Sequence, residues 1–207
     1  MLMRPLMTLT LGLACVLTSS IGHAQSETGF YYFKEWMPLA VDARVFAIKS
    51  SALEADAVRS APVLARAGIR SIETWPIPSW WLITLEEPLD PESARSFLSA
   101  LASEPIFEFV SPVFRDHRGR PMWVTADILM RFDESVDAKA ARAILAEHAP
   151  SQRVEETWAG MRNAYRLTAV ATDGLSLLST VNNLAQRPDV LFAEPDIIAC
   201  GPLCCTP

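Results

Sequence analysis

The alternation of apolar and polar residues predicts two strand–helix units that follow one another along the chain. In the first unit, short apolar runs predict strands, and Ala- and Leu-rich stretches predict helices. Pro62 must kink the first helix or mark the first turn of its main portion after Ser60, because proline has no N–H to donate, whereas Asp90 and Pro91 form a typical helix start. The predicted strands are residues 44–49, 69–74, 80–85 and 106–110, and the predicted helices are 53–67 and 93–103.

The second unit repeats this order. Two identical residues keep one spacing between the units: Trp75 and Trp158 are 158 − 75 = 83 positions apart, and Pro112 and Pro195 are 195 − 112 = 83 apart. A spacing shared by separate matches indicates an internal repeat. The predicted strands of the second unit are residues 128–132, 153–158, 164–168 and 190–193, and its helices are 137–149 and 173–186, of which Asp173 is expected to cap the second.

Each unit has the order βαββαβ, which is typical of a ferredoxin-like domain. In that arrangement a four-stranded antiparallel sheet carries both helices on one face. We therefore predict an α+β protein of two tandem ferredoxin-like domains. In chain order the predicted segments are a signal peptide at 1–24, a lead-in at 25–43, the first domain at 44–114, a linker at 115–125, the second domain at 126–199 and a cysteine-rich tail at 200–207.

Aromatic residues are expected mainly in the cores. The run at 30–33 is predicted to form a strand or an extended lead-in that packs on the first domain. An exposed Trp80 would instead mark a contact surface. The residues expected to fill the cores between sheets and helices are Trp75, Trp80, Trp81 and Trp158.

The N-terminus predicts export. Arg4, a short apolar core and a small-x-small motif predict a secretory signal peptide cleaved after Ala24, which would make the protein secreted or periplasmic. A lipoprotein signal that uses Cys15 is the alternative. No later segment is long enough for a membrane helix, so no membrane span is expected.

Composition argues against nucleic-acid binding. Half of the residues are hydrophobic and six are tryptophan, as in folded proteins. The chain has 18 basic and 24 acidic residues, and loss of Arg4 with the signal peptide leaves a net charge of 17 − 24 = −7. Because this acidic excess would repel phosphate, no nucleic-acid partner is expected. No cofactor is expected either.

The candidate site lies at the end of the second domain. An apolar run at 190–193 precedes Glu194, Pro195 and Asp196. The proline is predicted to end the strand and turn the chain outward, because it cannot donate to a sheet ladder. Two carboxylates then sit at the strand exit. The alternative is that they are ordinary polar residues at the end of a strand.

These residues resemble the propeptide, or inhibitor, domain of subtilisin-like serine proteases. The resemblance rests on a βαββαβ unit that opens with the sequence 125–132 and closes with an apolar strand and the sequence 193–196, Ala-Glu-Pro-Asp. It covers the second domain and extends to the first through the repeat. Tandem propeptide-like domains are also seen ahead of some secreted subtilases.

The resemblance implies a way of binding a protease. In such propeptides, two carboxylates at the end of the last strand cap the N-termini of two parallel helices on the protease surface, where unpaired N–H groups and the helix dipole attract anions. Glu194 and Asp196 match these carboxylates. The following segment, with Ile198, Ala199 and Cys200, would then enter the substrate cleft as an added strand.

The chain also departs from the family's pattern. The matching positions of the first domain hold Ser111 and Val113, so that domain has lost both acids and is expected to be structural or accessory. The proline at 202 is unlike the end of an ordinary propeptide. It argues against binding of the tail in the protease cleft in the way that a cleavage product binds. His117 and His148 lie in no hydrolase motif, and no protease domain follows, so we expect no enzyme activity.

The tail cysteines have three interpretations. In an exported protein, Cys200 is expected to form a disulfide with Cys204 or Cys205. The remaining thiol would be free or would join two chains in a disulfide-linked dimer. A metal site would need a fourth ligand, and no histidine lies nearby in the sequence, so no metal is expected.

The sequence therefore predicts a stand-alone, propeptide-like protein. It is expected to bind a subtilisin-like serine protease in trans, as an inhibitor or as a folding chaperone. One alternative is a scaffold module of the cell envelope that uses the same fold without a protease partner. The other is a remnant of a longer protease precursor.

Overall fold

The computed structural model describes residues 28–52, 54–116 and 118–199. The predicted signal peptide, Cys15 and the tail cysteines at 200, 204 and 205 lie outside these ranges, as does His117. Predictions made for these residues stay predictions.

Three groups of elements follow one another in the described residues. The N-terminal hairpin consists of β1 (Gly29–Tyr32) and β2 (Glu35–Pro38). The first half consists of β3 (Ala40–Lys49), α1 (Ala55–Arg59), α2 (Pro62–Ala65), β4 (Ile69–Thr74), β5 (Trp80–Leu85), α3 (Pro91–Ala102) and β6 (Phe109–Arg115). The second half consists of β7 (Pro121–Phe132), α4 (Ala138–His148), β8 (Ser151–Glu156), a 3₁₀ turn (Trp158–Gly160), β9 (Ala164–Ala169), α5 (Gly174–Ala185) and β10 (Val190–Ala199).

The strands of both halves form one eight-stranded sheet. The order along the sheet is β4-β5-β3-β6-β7-β9-β8, and β10 pairs with β7. Met122 of β7 pairs with both Phe114 of β6 and Ala199 of β10, so β6 and β10 lie on opposite edges of β7. The pairings between these strands are antiparallel. The prediction of an α+β protein with antiparallel strands is therefore confirmed.

The helix that precedes the last strand of each half begins in the same way. Asp90 and Asp173 cap α3 and α5, and each carboxylate accepts hydrogen bonds from the N–H groups two and three residues further on and from a serine hydroxyl. The two helices keep the spacing of the repeat, because 174 − 91 = 83 and 185 − 102 = 83. Both predicted helix starts are confirmed.

Two apolar clusters hold the fold together. In the first half, Phe46, Ile48 and Trp81 face α1, α2 and α3. The second cluster spans both halves, and in it Trp80 packs on Trp123 of β7, with ring centroids 5.9 Å apart. Trp81 therefore fills a sheet–helix core as predicted. Trp80 is buried between the halves instead, and Trp75 and Trp158 are only partly buried.

Several boundaries differ from the predictions. The helix predicted at 53–67 is two short helices separated by Ser60 and Ala61, and Pro62 begins the first turn of the second, which is one of the two alternatives predicted for it. The strand predicted at 153–158 ends at Glu156, since Thr157 and Ala159 have left-handed φ values of 53° and 55°. The strand predicted at 106–110 extends instead from Phe109 to Arg115, where β3 supplies a longer partner than expected.

Two differences affect the candidate site. The prediction that Pro195 ends the last strand is wrong: β10 continues to Ala199, because its only described sheet partner is β7 and an edge strand tolerates a proline whose missing donor is not needed. β7 begins at Pro121, inside the segment expected as a linker. The halves are therefore connected by a tight hairpin within one sheet rather than by an extended segment.

Candidate functional site

Strand β10 places the predicted carboxylates on one face of the sheet. Ala193 and Pro195 are buried, whereas Glu194 and Asp196, which alternate with them, are partly exposed. This is the ordinary alternation of a strand, in which every second side chain points to the same face. We name this face of the second half, away from α4 and α5, the carboxylate face.

Asp196 belongs to a polar network on the carboxylate face. Its Oδ2 accepts a hydrogen bond from the Thr125 hydroxyl at 3.2 Å and lies 3.7 Å from Nη2 of Arg166. The Arg166 guanidinium is held mainly by Asp127, to whose Oδ2 its Nε and Nη2 donate at 2.9 and 2.7 Å. The Thr168 hydroxyl donates to the other oxygen of Asp127 at 2.7 Å.

This network fixes the charge state of Arg166. The hydrogen bonds from Arg166 to Asp127 raise the pKa of the guanidinium above its usual range, and Asp196 raises it further. The guanidinium is therefore a permanent cation, already neutralised by one tightly bound carboxylate. Asp196 is the second, more distant anion, and its side chain is 34% exposed, so it can accept further N–H groups.

Glu194 has a different environment. Its Oε1 accepts a hydrogen bond from the backbone N–H of Phe33, at the tip of the N-terminal hairpin, at 3.3 Å. Burial raises the pKa of the Glu194 carboxyl above its usual range, and the Phe33 N–H lowers it in part. Among the described residues, no cation is paired with Glu194. This carboxylate is therefore less solvated than one on an open surface and lacks a neutralising charge.

The two carboxylates line separate depressions. Asp196 lines a cleft of about 690 Å³ between the halves, with Ile198 and Trp80 on its walls. Glu194 lines a smaller and more apolar pocket of about 380 Å³, with Phe33 and Phe192. The structure thus brings the predicted pair onto one face but gives each carboxylate its own neighbours.

The other predicted binding residues lie where β10 ends. Ile198 pairs with Trp123, and the exposed Ala199 pairs with Met122. Cys200, the next predicted residue, lies outside the described residues, as do its possible partners Cys204 and Cys205. The segment that follows β10 therefore starts beside the connection between the halves.

Sequence reasoning missed the residues that surround Asp196. Thr125 and Asp127 alternate along β7, and Arg166 and Thr168 alternate along β9, so the period of a strand puts each pair on one face. The pairing of Asp127 with Thr168 then brings the four residues together. The available signal was the alternation of polar residues at 125 and 127, just before one predicted strand, and at 166 and 168 within another. Nothing in the sequence pointed to the contact between Phe33 and Glu194.

The carboxylates of this face are hydrogen-bond acceptors. Carboxylates that point outward attract N–H groups and cations. Within 28–52, 54–116 and 118–199, no group of three or more potential metal ligands is found, and no helix has the length and apolar character needed to cross a membrane. The chain matches no protein-family model, no curated protein and no solved structure.

Proposed function

We propose that the two halves are tandem ferredoxin-like domains and that the second binds a subtilisin-like serine protease in trans. The protein would act outside the cytoplasm as an inhibitor or as a folding chaperone, after removal of residues 1–24. The strand order supports this proposal. In each half the second strand pairs with the third, the third with the first, and the first with the fourth.

The observation that carries the proposal is the placement of Glu194 and Asp196. Both lie on the last strand of the second half, two residues apart and on the same face. Neither carboxylate forms a close ion pair. Glu194 accepts one hydrogen bond, and Oδ2 of Asp196 lies 3.7 Å from Nη2 of Arg166. Each can therefore accept the exposed N–H groups at the N-terminus of a partner helix, as the resemblance to protease propeptides implies.

The first test is binding to a panel of secreted subtilases by the chain that begins at Gln25. Glu194→Ala combined with Asp196→Ala should weaken binding by about tenfold or more, since a hydrogen bond to a charged group contributes about 1.5 to 3 kcal/mol. The matched control is Glu86→Ala with Glu87→Ala, which removes two exposed acids of the first half. Equal affinity of the two double variants would exclude the carboxylate face as the binding surface.

The second test concerns the tail. A chain that ends at Ala199 keeps all of β10 and lacks only residues 200–207. If the tail enters the substrate cleft, the truncated chain should still bind the protease but should no longer block hydrolysis of a peptide substrate. Full inhibition by the truncated chain would contradict the proposed role of the tail.

One observation favours a second candidate function. Both carboxylates already have partners within the chain, Phe33 for Glu194 and Thr125 for Asp196. A non-inhibitory scaffold module of the cell envelope, or a remnant of a longer protease precursor, would need no more than these internal contacts. Absence of binding to every subtilase, at concentrations well above those of the enzymes, would favour this class.

A further inference from the structure

The N-terminal hairpin has a buried root and an exposed tip. At the root, Phe30 is buried, and the Gly29 carbonyl accepts a hydrogen bond from the Asn182 side chain of α5 at 2.9 Å. At the tip, the side chains of Tyr32 and Phe33 are 49% and 60% exposed. The root is therefore fixed on the second half, while the tip reaches over the carboxylate face.

The tip has a backbone conformation that its residues disfavour. Phe33 and Lys34 form the two-residue turn between the paired Tyr32 and Glu35, and their φ values are 44° and 71°. Turns with two positive φ values normally use Asn-Gly, because side chains other than those of Gly, Asn and Asp are strained there. A two-stranded hairpin is also only marginally stable by itself. The tip therefore depends on contacts outside the hairpin.

Phe33 and Lys34 hold the tip on the second half. The Phe33 N–H donates to Glu194, and the Phe33 ring lies 5.5 Å from that of Phe192. The Lys34 ammonium donates to the carbonyls of Ala185 and Arg187 at the C-terminal end of α5, where a helix dipole favours a cation. These contacts are few and lie at the surface, so they can break without loss of either apolar cluster.

We infer that the hairpin tip, residues 32–35, is a latch that covers Glu194 and lifts off while the sheet stays folded. The Phe33 N–H is a backbone donor outside the hairpin ladder, the same kind of group that the N-terminus of a partner helix presents. The partner and the latch therefore compete for one carboxylate. The competition rests on the proposed function, whereas the opening of the latch does not.

The opening is tested without a partner, by amide hydrogen exchange of the chain that begins at Gln25. Lys34→Ala removes the anchor on α5 and should speed exchange at residues 32–35 about tenfold while exchange in β7 and β10 is unchanged. The control, Lys139→Ala, removes an exposed lysine of α4 that has no contact with the hairpin. It should change the exchange rate neither at residues 32–35 nor in β7 and β10. Exchange of the tip only together with β7, by global unfolding, would overturn the latch.

The competition is tested with the same variants and a subtilase that binds the wild-type chain. If the open fraction rises about tenfold in Lys34→Ala, the apparent Kd should fall by up to about tenfold, because only the open form binds. Exchange at residues 32–35 should increase in the complex while Glu194 becomes protected from carboxyl-directed labelling. An unchanged or weaker affinity of Lys34→Ala, with a tip that stays protected in the complex, would overturn the competition.

The two proposals fail in different ways. If no form of the chain binds any subtilase, the proposed function is wrong, and local exchange of the tip still decides whether the latch exists. If the wild-type chain binds but the tip stays closed in the complex, the proposed function stands and the latch is wrong. Binding by Lys34→Ala alone would support both.

Discussion

The last strands of the two halves, β6 and β10, occupy matching positions of the repeat and have opposite surroundings. Positions 111 and 113 of β6 correspond to 194 and 196 of β10, because 194 − 111 = 83 and 196 − 113 = 83. Ser111 and Val113 are completely buried, whereas Glu194 and Asp196 are partly exposed. The second half covers β6, since β7 continues the sheet on one edge and α5 packs against it.

This difference accounts for the sequences of the two strands. A carboxylate at 111 or 113 would have to be buried without a partner, which costs several kcal/mol. A carboxylate at 194 or 196 in β10 reaches solvent, so it adds little unfavourable free energy to the folded state. At these matching positions, therefore, only the second half has carboxylates that solvent can reach.

The largest change in stability is expected when the residues at the matching positions of β6 and β10 are exchanged. Val113→Asp places in β6 the acid that β10 has at 196, within the apolar cluster shared by the halves. We expect a loss of about 4 kcal/mol in the free energy of unfolding, because the buried charge has no partner. The reverse change, Asp196→Val, should cost about 1 kcal/mol or less, since Arg166 keeps its bonds to Asp127. Urea unfolding of both variants measures the two effects.

Similar losses in the two variants would contradict the idea that the second half covers β6. A loss in Val113→Asp that disappears at low pH, where the aspartate is protonated, would identify the buried charge as the cause. Val113→Asn is the control without a charge and should lose less.

The contact between β6 and α5 gives a smaller effect. A Cβ at Gly174 would lie 2.6 Å from the Ser111 hydroxyl and 2.8 Å from a methyl carbon of Val124, closer than van der Waals contact allows. Gly174→Ala should therefore destabilise the protein by about 1 to 3 kcal/mol, seen as a lower Tm. The matching position of α3 is Pro91, which is exposed, so Pro91→Ala should cost less than about 1 kcal/mol.

A second substitution shows whether the contact is the cause. Ser111→Gly removes the nearest side chain and should recover part of the stability lost in Gly174→Ala. If the double variant is no more stable than Gly174→Ala alone, the loss comes from the contact with Val124 of β7 or from the helix N-terminus, and not from the packing of α5 on β6.

Local features of this fold could be predicted from the sequence, and long-range features could not. Asp90 and Asp173 were identified as helix caps because the signal lies within four residues. The repeat was also visible in the sequence, because identical residues kept one spacing. The path of β10 beyond Pro195 depends on β10 being an edge strand, which follows from sheet order and not from the strand's own residues.

The same distinction between local and long-range features applies to the candidate site. Glu194 and Asp196 were singled out from a short motif, and the structure places them on one face of β10. The contact of Glu194 with Phe33 joins residues 161 positions apart, and the network of Asp196 requires the register of β7 with β9. No local pattern encodes either contact. Ser111 could be matched to Glu194 by the repeat, but its burial follows only from the packing of the second half on β6.

The smallest expected effect concerns the turn that joins β6 to β7. Asp116 accepts hydrogen bonds from the N–H groups of Arg118 and Arg120, at 2.8 and 2.9 Å, and from the Arg120 side chain. These bonds, chiefly the one from the Arg120 N–H, lower the pKa of Asp116 to about 2. Because the pKa in the folded state lies below its unfolded value, the charged carboxylate stabilises the fold above about pH 4, and this contribution disappears between about pH 4 and 2.

Asp116→Asn should therefore be less stable than the wild-type chain at neutral pH, and the difference should shrink as the pH falls from about 4 to 2. Urea unfolding at several pH values measures it. Arg120→Ala keeps the backbone N–H and removes the guanidinium, so it should lose only part of this pH dependence. If Asp116→Asn and the wild-type chain lose stability in parallel over this range, the carboxylate does not close the turn. The pairing of β6 with β7 and the packing of α5 would then hold the halves together without help from this carboxylate.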